Sequence, residues 1–276
     1  MVAESTVKQK VESRIVDIGD LALHMRVVGK GAPPLLLLHG LGGDSTSWTL
    51  NQRALAADRQ VIAPDLPGHG KSAREVGEGT VPWLGAFLTA LPDALGIERF
   101  HLLGISYGAA VAMDLAGHLP DRILSLTCVS ATGLGPEVNI DFIRGYLRAE
   151  TPEAMRPLMA MLFHDPRKIN DAMIAYALAG RADPGFRDCV SRITDANFED
   201  GHQRFAYAER VKDYPFPVHV IWGREDRIVP VTQTEGLPPH VRVDILDDAG
   251  HMPNAEKAEA FNTLMLDLIA AADEAG

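Results

Sequence analysis

Phe100-His101-Leu102-Leu103-Gly104-Ile105-Ser106-Tyr107-Gly108, running on to His118, is the stretch that sets the fold class. Phe100–Ile105 is a short apolar run, and such runs suit a strand. Tyr107–His118 then has the composition and length of a helix. At their junction, Gly104 to Gly108 match G-x-S-x-G, the pattern that sets a serine on a sharp turn from strand to helix. The backbone of such a serine is strained and its hydroxyl stands above the sheet. The flanking positions must be glycine, because a side chain there would collide with the neighbouring strand and helix. The helix N-terminus adds partial positive charge beside the hydroxyl. As a bare pattern G-x-S-x-G also occurs in ordinary loops. The strand before it and the helix after it separate a nucleophile from a loop serine.

The same alternation continues on both sides. Upstream, Arg14–Ile18 and Leu21–Val28 read as a hairpin split by Gly19-Asp20. Leu35–Leu38 reads as a strand buried on both faces, Gln60–Ala63 as another, and Val81–Leu95 as a helix. Downstream, Ile123–Val129, Val218–Trp222 and Val241–Leu246 read as strands. Ala255–Ala270 reads as the closing helix, with Phe261, Leu264, Met265 and Leu268 on one stripe. Strands alternating with helices imply an α/β fold whose mostly parallel sheet is covered on both faces. Residues 135–212 interrupt the alternation. They carry no strong strand signal, but Ile140, Ile143 and Leu147 keep helical spacing, as do Met155, Leu158, Met159 and Leu162. The expected organisation is therefore a core of 1–134 and 213–276 with a helical cap of 135–212. Residues 1–12 are polar and read as a tail.

A serine hydroxyl needs a base and an orienting carboxylate before it attacks at neutral pH. In a strand–turn–helix setting the chain order is serine, acid, histidine. Trp222-Gly223-Arg224-Glu225-Asp226-Arg227-Ile228-Val229-Pro230 puts acids in the turn after a strand, and Asp226 is the candidate, with Glu225 second. Asp247-Asp248-Ala249-Gly250-His251-Met252-Pro253 puts His251 between the last strand and the last helix. A lone histidine is usually structural; this position makes His251 the candidate base. The oxyanion donors expected are the backbone N–H groups of Tyr107 and of Leu41, the latter in His39-Gly40-Leu41-Gly42-Gly43. Met155, Met159 and Leu162, with Val229 and Met252, are candidates for the substrate-binding wall, although the methionine stripe is equally explained as helix core. Asp65-Leu66-Pro67-Gly68-His69-Gly70-Lys71-Ser72 reads as a structural turn, since its glycines lack phosphate-loop spacing.

Composition limits the partners. The chain has 276 residues and a formal net charge of −11, which disfavours nucleic acid and anionic membranes. It shows no secretory signal, no apolar run of transmembrane length, no zinc spacing and no internal repeat. Cys128 sits in an apolar run and Cys189 in a helical one, so neither suggests a disulfide, and a reducing cytoplasmic setting is the default. The expected partner is a small molecule, with no cofactor and no metal; the oligomeric state stays open.

Taken in order, HGLGG, DLPGHGKS, GISYG, WGREDRIVP and DDAGHMP resemble the α/β-hydrolase superfamily over residues 14–269. The resemblance implies an eight-stranded sheet with its second strand antiparallel and a helical cap after the sixth. Phe142-Ile143-Arg144-Gly145-Tyr146, Leu162-Phe163-His164-Asp165-Pro166 and Ala249-Gly250-His251-Met252-Pro253 are similar to the hydrolase-like C-terminal domain of acetoin dehydrogenase dihydrolipoyl acyltransferase components. The lipoyl domain of that family is not expected here. The expected activity is that of a serine hydrolase cleaving small carboxylic esters, lactones or thioesters through an acyl-enzyme. Haloalkane dehalogenases and soluble epoxide hydrolases resemble the fold but use aspartate where Ser106 stands. Carbon–carbon bond hydrolases of aromatic or diketone degradation keep the three residues but usually carry tryptophan where Met252 stands, and remain an alternative. So does a ligand-binding or complex-associated protein without turnover.

Overall fold

The computed structural model describes residues 9–275. Most of the proposed tail, residues 1–8, lies outside the described residues. Eight strands form one sheet: β1 (Glu12–Ile18), β2 (Leu21–Val28), β3 (Leu35–Leu38), β4 (Val61–Pro64), β5 (Phe100–Ile105), β6 (Ile123–Val129), β7 (Val218–Gly223) and β8 (Arg242–Leu246). Their spatial order is β1-β2-β4-β3-β5-β6-β7-β8. β2 runs antiparallel to both β1 and β4, and every other pairing is parallel. The sheet thus has the eight strands, with the second reversed, that the sequence resemblance implies.

The strand sequences explain their depth. Every residue of β3, β4, β5 and β6 is buried, because helices cover both faces and no polar face is needed. One layer gathers α1 (Val81–Leu88) and α2 (Tyr107–His118) against Leu36, Leu102, Leu126 and Val220. The opposite layer packs the closing helix α7 (Ala258–Ala275), through Phe261, Met265, Leu268 and Ile269, against Leu37, Leu103, Val129 and Ile221. Each such side chain contributes about 1.5–3 kcal/mol when fully buried.

Strand ends shift by one or two residues from the sequence expectation, and two helices differ more. The helix expected over Val81–Leu95 breaks into α1 and a single turn, Leu91–Ala94, because Pro92 has no N–H to continue the ladder. The closing helix is preceded by a separate turn, Pro253–Glu256, and extends five residues further than expected, from Ala270 to Ala275. Both cysteines are free and buried.

Between β6 and β7 the chain forms four helices of nine or more residues, α3 (Ile140–Arg148), α4 (Pro152–Met161), α5 (Asp171–Arg181) and α6 (Pro184–Asn197), and a single helical turn, Ala208–Val211. The side chains of Asn139, Thr151, Asn170 and Asp183 accept a backbone N–H at the four starts, a cap that is typically worth about 1 kcal/mol. A two-strand ladder too short for the sequence to reveal, Phe198–Glu199 with His202–Gln203, follows α6. The insertion has a small core of its own around Met155, Met159, Phe163, Ile169 and Ile174. Among the described residues no helix is long and apolar enough to cross a membrane.

Candidate active site

The turn between β5 and α2 has the expected strain. Ser106 adopts φ 54° and ψ −121°, a conformation costly for a residue with a Cβ. It persists because its surroundings allow no other path. Ser106 N–H donates to the Val129 carbonyl at 2.9 Å, and Thr132 Oγ1 donates to the Ser106 carbonyl at 3.2 Å. The neighbours leave no room for side chains. A Cβ on Gly104 would stand 2.2 Å from the Gly108 carbonyl oxygen, and one on Gly108 2.3 Å from that of His39. Both glycines are therefore fixed by close backbone approach.

The candidate acid and the candidate base lie within hydrogen-bond distance of each other. His251 Nδ1 and Asp226 Oδ2 are 2.8 Å apart, both side chains almost fully buried. The other carboxylate oxygen accepts the N–H groups of Ile228 at 2.8 Å and Val229 at 3.0 Å. An ionised carboxylate in this position keeps the proton on Nδ1 and leaves Nε2 free to take another. Glu225 faces elsewhere: its Oε2 accepts the Ala249 N–H at 3.0 Å, so it braces the histidine loop. Ser106 and His251 line the same cavity, while Ser106 Oγ has no hydrogen-bond partner among the described residues. Hydrogen bonds of this kind commonly tighten only when substrate is bound.

The loop after β3 brings Leu41 to this cavity. His39, fully buried, donates from Nδ1 to the Gly40 carbonyl at 2.8 Å and accepts the Leu66 N–H on Nε2 at 2.9 Å. Burial pushes its pKa down, so it stays neutral with its tautomer fixed by these two bonds. The Gly40 carbonyl also accepts the Gly43 N–H at 3.1 Å. In a trans peptide the carbonyl and the N–H point opposite ways, so holding that carbonyl directs the Leu41 N–H away from His39. Neither this N–H nor that of Tyr107 has an acceptor among the described residues. The Asp65–Ser72 turn is built around the Asp65 carboxylate, which accepts the Ser45 and Lys71 N–H groups and pairs with His24 Nδ1, each at 2.8–2.9 Å.

These groups converge on a cavity of about 610 Å³ between the sheet and the insertion. Its wall is mainly apolar and includes Phe142, Ile143, Tyr146 and Leu147 from α3. Of the residues proposed for the wall from the sequence, Met159, Leu162 and Met252 line the cavity. Met155 and Val229 do not. Met155 is fully buried in the insertion's own core, because one helical stripe is wider than the strip that meets the cavity. Val229 is fully buried under the acid turn, its N–H on Asp226 and its carbonyl accepting from Trp222 Nε1 at 3.1 Å.

Two charged wall residues, Asp44 and Arg181, escaped the sequence reading. Arg181, at the end of α5, is only 2% exposed, and its guanidinium lies 3.7 Å from the centre of the Tyr146 ring. Its Nε donates to the Tyr146 carbonyl at 3.0 Å, Nη1 donates to the Ala177 carbonyl, and Nη2 has no acceptor among the described residues. An arginine in the last turn of a helix normally reads as a solvated partner of the helix dipole, so nothing local marked it.

With this geometry in place, comparison with known proteins is decisive for the family. A model of the α/β hydrolase fold matches residues 33–258. The chain belongs to that family. A dihydrolipoyllysine-residue acetyltransferase component of the acetoin cleaving system from Pseudomonas putida is 36% identical over 248 residues, covering 90% of this α/β hydrolase and 66% of the relative. This chain therefore spans about two thirds of that relative's length. A 2-hydroxy-6-oxononadienedioate/2-hydroxy-6-oxononatrienedioate hydrolase from Paraburkholderia phymatum is 30% identical over 265 residues, 91% of each chain. Among solved structures, a meta-cleavage product hydrolase from Pseudomonas fluorescens IP01 superposes with a TM-score of 0.85 at 24% identity, covering 94% of this chain and 98% of the other; at that identity the likeness is one of fold.

Proposed function

We propose that this α/β hydrolase cleaves small carboxylic esters, lactones or thioesters through an acyl-enzyme formed on Ser106. The observation that carries the reading is a convergence on one apolar cavity. It joins a serine held at φ 54°, a buried His251–Asp226 pair and two N–H groups without acceptors, those of Leu41 and Tyr107. In this reading Ser106 Oγ attacks the carbonyl carbon as His251 Nε2 takes its proton. The carbonyl oxygen becomes an oxyanion between the Leu41 and Tyr107 N–H groups. Each such donor lowers the barrier by roughly 3 kcal/mol. His251 then passes the proton to the departing alkoxide or thiolate. Water, deprotonated by the same nitrogen, adds to the acyl carbon, and collapse of the second intermediate returns the proton to Ser106 and frees the acid. The insertion serves as the cap that keeps bulk water from this cycle.

The test is covalent labelling by a fluorophosphonate, with turnover of p-nitrophenyl acetate and butyrate. Labelling confined to Ser106 together with ester turnover supports the reading. Absence of both in folded protein favours a ligand-binding role.

Arg181 favours a second reading. A carboxylate entering the cavity would supply the acceptor that Nη2 lacks, and the Paraburkholderia phymatum relative is named for dioate substrates. In that reading the bond broken lies between carbons of a vinylogous diketone acid, with the same serine, histidine and aspartate. Assay of a vinylogous 1,5-diketone acid beside the esters decides between them: this reading requires higher kcat/KM for the diketone acid and its loss in Arg181→Met.

A further inference from the structure

Glu256 lies in the short turn after His251 and is only 5% exposed. Its carboxylate is saturated by backbone donors from two separate segments. Oε2 accepts the N–H groups of Gly250 and His164, each at 2.8 Å, and Oε1 accepts that of Asp165 at 2.7 Å. Gly250 adjoins the candidate base, whereas His164 and Asp165 belong to the insertion. On the other side of His251, the Met252 N–H donates to the Leu162 carbonyl at 3.2 Å. His251 is thus flanked at both neighbours by bonds leading to one insertion segment. The two backbones are pressed together: a Cβ on Gly250 would stand 2.8 Å from the Leu162 carbonyl oxygen and 2.9 Å from the His164 nitrogen. The residue after the acid grips the same segment, since Arg227 Nη2 donates to the carbonyls of Ala160 at 2.8 Å and Phe163 at 2.6 Å. Leu162 and Phe163 of this segment also line the cavity.

We infer that residues 160–165 couple the cavity wall to the candidate triad, and that Glu256 is the positioning residue that holds His251 in register with Ser106 through this joint. The inference rests on the serine-hydrolase reading. Its physical basis is that a buried carboxylate taking three backbone donors has no cheap alternative arrangement. A displacement of about 1 Å in a base can cost on the order of 100-fold in rate.

Glu256→Gln keeps the size but replaces one acceptor oxygen by an amide that faces a donor, so at least one of the three bonds is lost. At a temperature well below its Tm, the variant is expected to lose about 10- to 100-fold in kcat with little change in KM. The pH profile of kcat/KM and the low-field resonance of the His251 Nδ1 proton are expected to shift with it. A purely structural role lowers Tm and leaves kcat, the pH profile and that resonance unchanged; this result overturns the inference. Should Glu256→Gln fail to fold, Arg227→Met, at an exposed position, carries the test. It removes the guanidinium bonds to Ala160 and Phe163 and is expected to lower kcat and move the pH profile in the same direction. Wild-type behaviour there also overturns the inference. Ser106→Ala runs in parallel: if it keeps ester turnover, the serine reading fails and this inference fails with it, whereas an inactive Ser106→Ala beside a fully active Glu256→Gln removes the coupling alone.

Discussion

The turn at Ser106 and the insertion above it are built by opposite means. At the turn, backbone meets backbone: a methyl group on Gly104 or Gly108 would lie 2.2–2.3 Å from a carbonyl oxygen, and the sheet on either side is buried throughout. In the helices of the insertion, away from the backbone joint at residues 160–165, side chains meet side chains around a small separate core, and flexible methionines supply part of the wall. Close backbone packing has one solution, so the candidate nucleophile is held within a narrow tolerance. Side-chain packing has many near-equal solutions, so the wall can change without moving the nucleophile. Chemistry should therefore fail abruptly at the turn, whereas selectivity and stability should change gradually in the insertion.

The steepest loss expected is that of Ser106→Ala, which should lower ester turnover on the order of 10⁴- to 10⁶-fold with the melting temperature nearly unchanged. Retention of about a tenth of the activity would show that the strained turn serves something other than nucleophilic attack. Asp226→Asn should cost about four decades, because the amide favours the wrong histidine tautomer. Glu225→Gln should cost far less, since its carboxylate bonds to Ala249 rather than to His251. Steady-state kinetics on the two variants measures the gap between them, and comparable losses would remove Asp226 from its proposed role.

The methionines carry the contrast into the insertion itself. Met155→Ala should destabilise by about 2–5 kcal/mol in denaturant titration and leave the ranking of acyl chain lengths unchanged, because Met155 fills the insertion core away from the cavity. Met159→Ala should alter that ranking in kcat/KM as well as destabilise, since Met159 belongs to the insertion core and also lines the cavity. Reversed outcomes would put Met155 rather than Met159 at the wall.

The smallest effect expected is electrostatic and belongs to the core. Burial lowers the pKa values of His39 and His101 and takes His69, with His39 beside it, down to about 3 from an ordinary 6.5. A histidine kept neutral in the fold gains its proton only on unfolding, so below pH 6.5 the unfolded chain binds more protons. Stability from these groups is complete above that pH and falls as the pH drops towards the folded values, for His69 by about 1 kcal/mol per pH unit. Denaturant titrations between pH 7 and pH 5 should show this slope, and His69→Gln should reduce it by about one proton; an unchanged slope would mean that His69 is charged in the fold.

Much of this was legible in the sequence because it is local. Ser106 declares itself by the glycines around it, Asp226 and His251 by the turns that follow two strands, and the strands by unbroken apolar runs. Helix starts in the insertion were also written locally, in Asn139, Thr151, Asn170 and Asp183. Which side of an insertion helix meets the cavity was not legible. Met155 and Met159 share one stripe at i, i+4 and one core, and only the placement of α4 against its neighbours brings Met159 to the cavity as well. Arg181, His39 and Glu256 were illegible for a related reason: each is defined by partners distant in the chain or by burial that its own sequence does not announce. Glu256 reaches back about 90 residues to His164 and Asp165. Element order, the strained serine turn and the order of the three candidate residues were all written along the chain, since strand, helix and turn preferences act over a few residues. The cavity, its charged wall and the joint between insertion and histidine loop came only with the folded arrangement, since burial and hydrogen-bond partnership across such distances exist only once the chain has closed on itself.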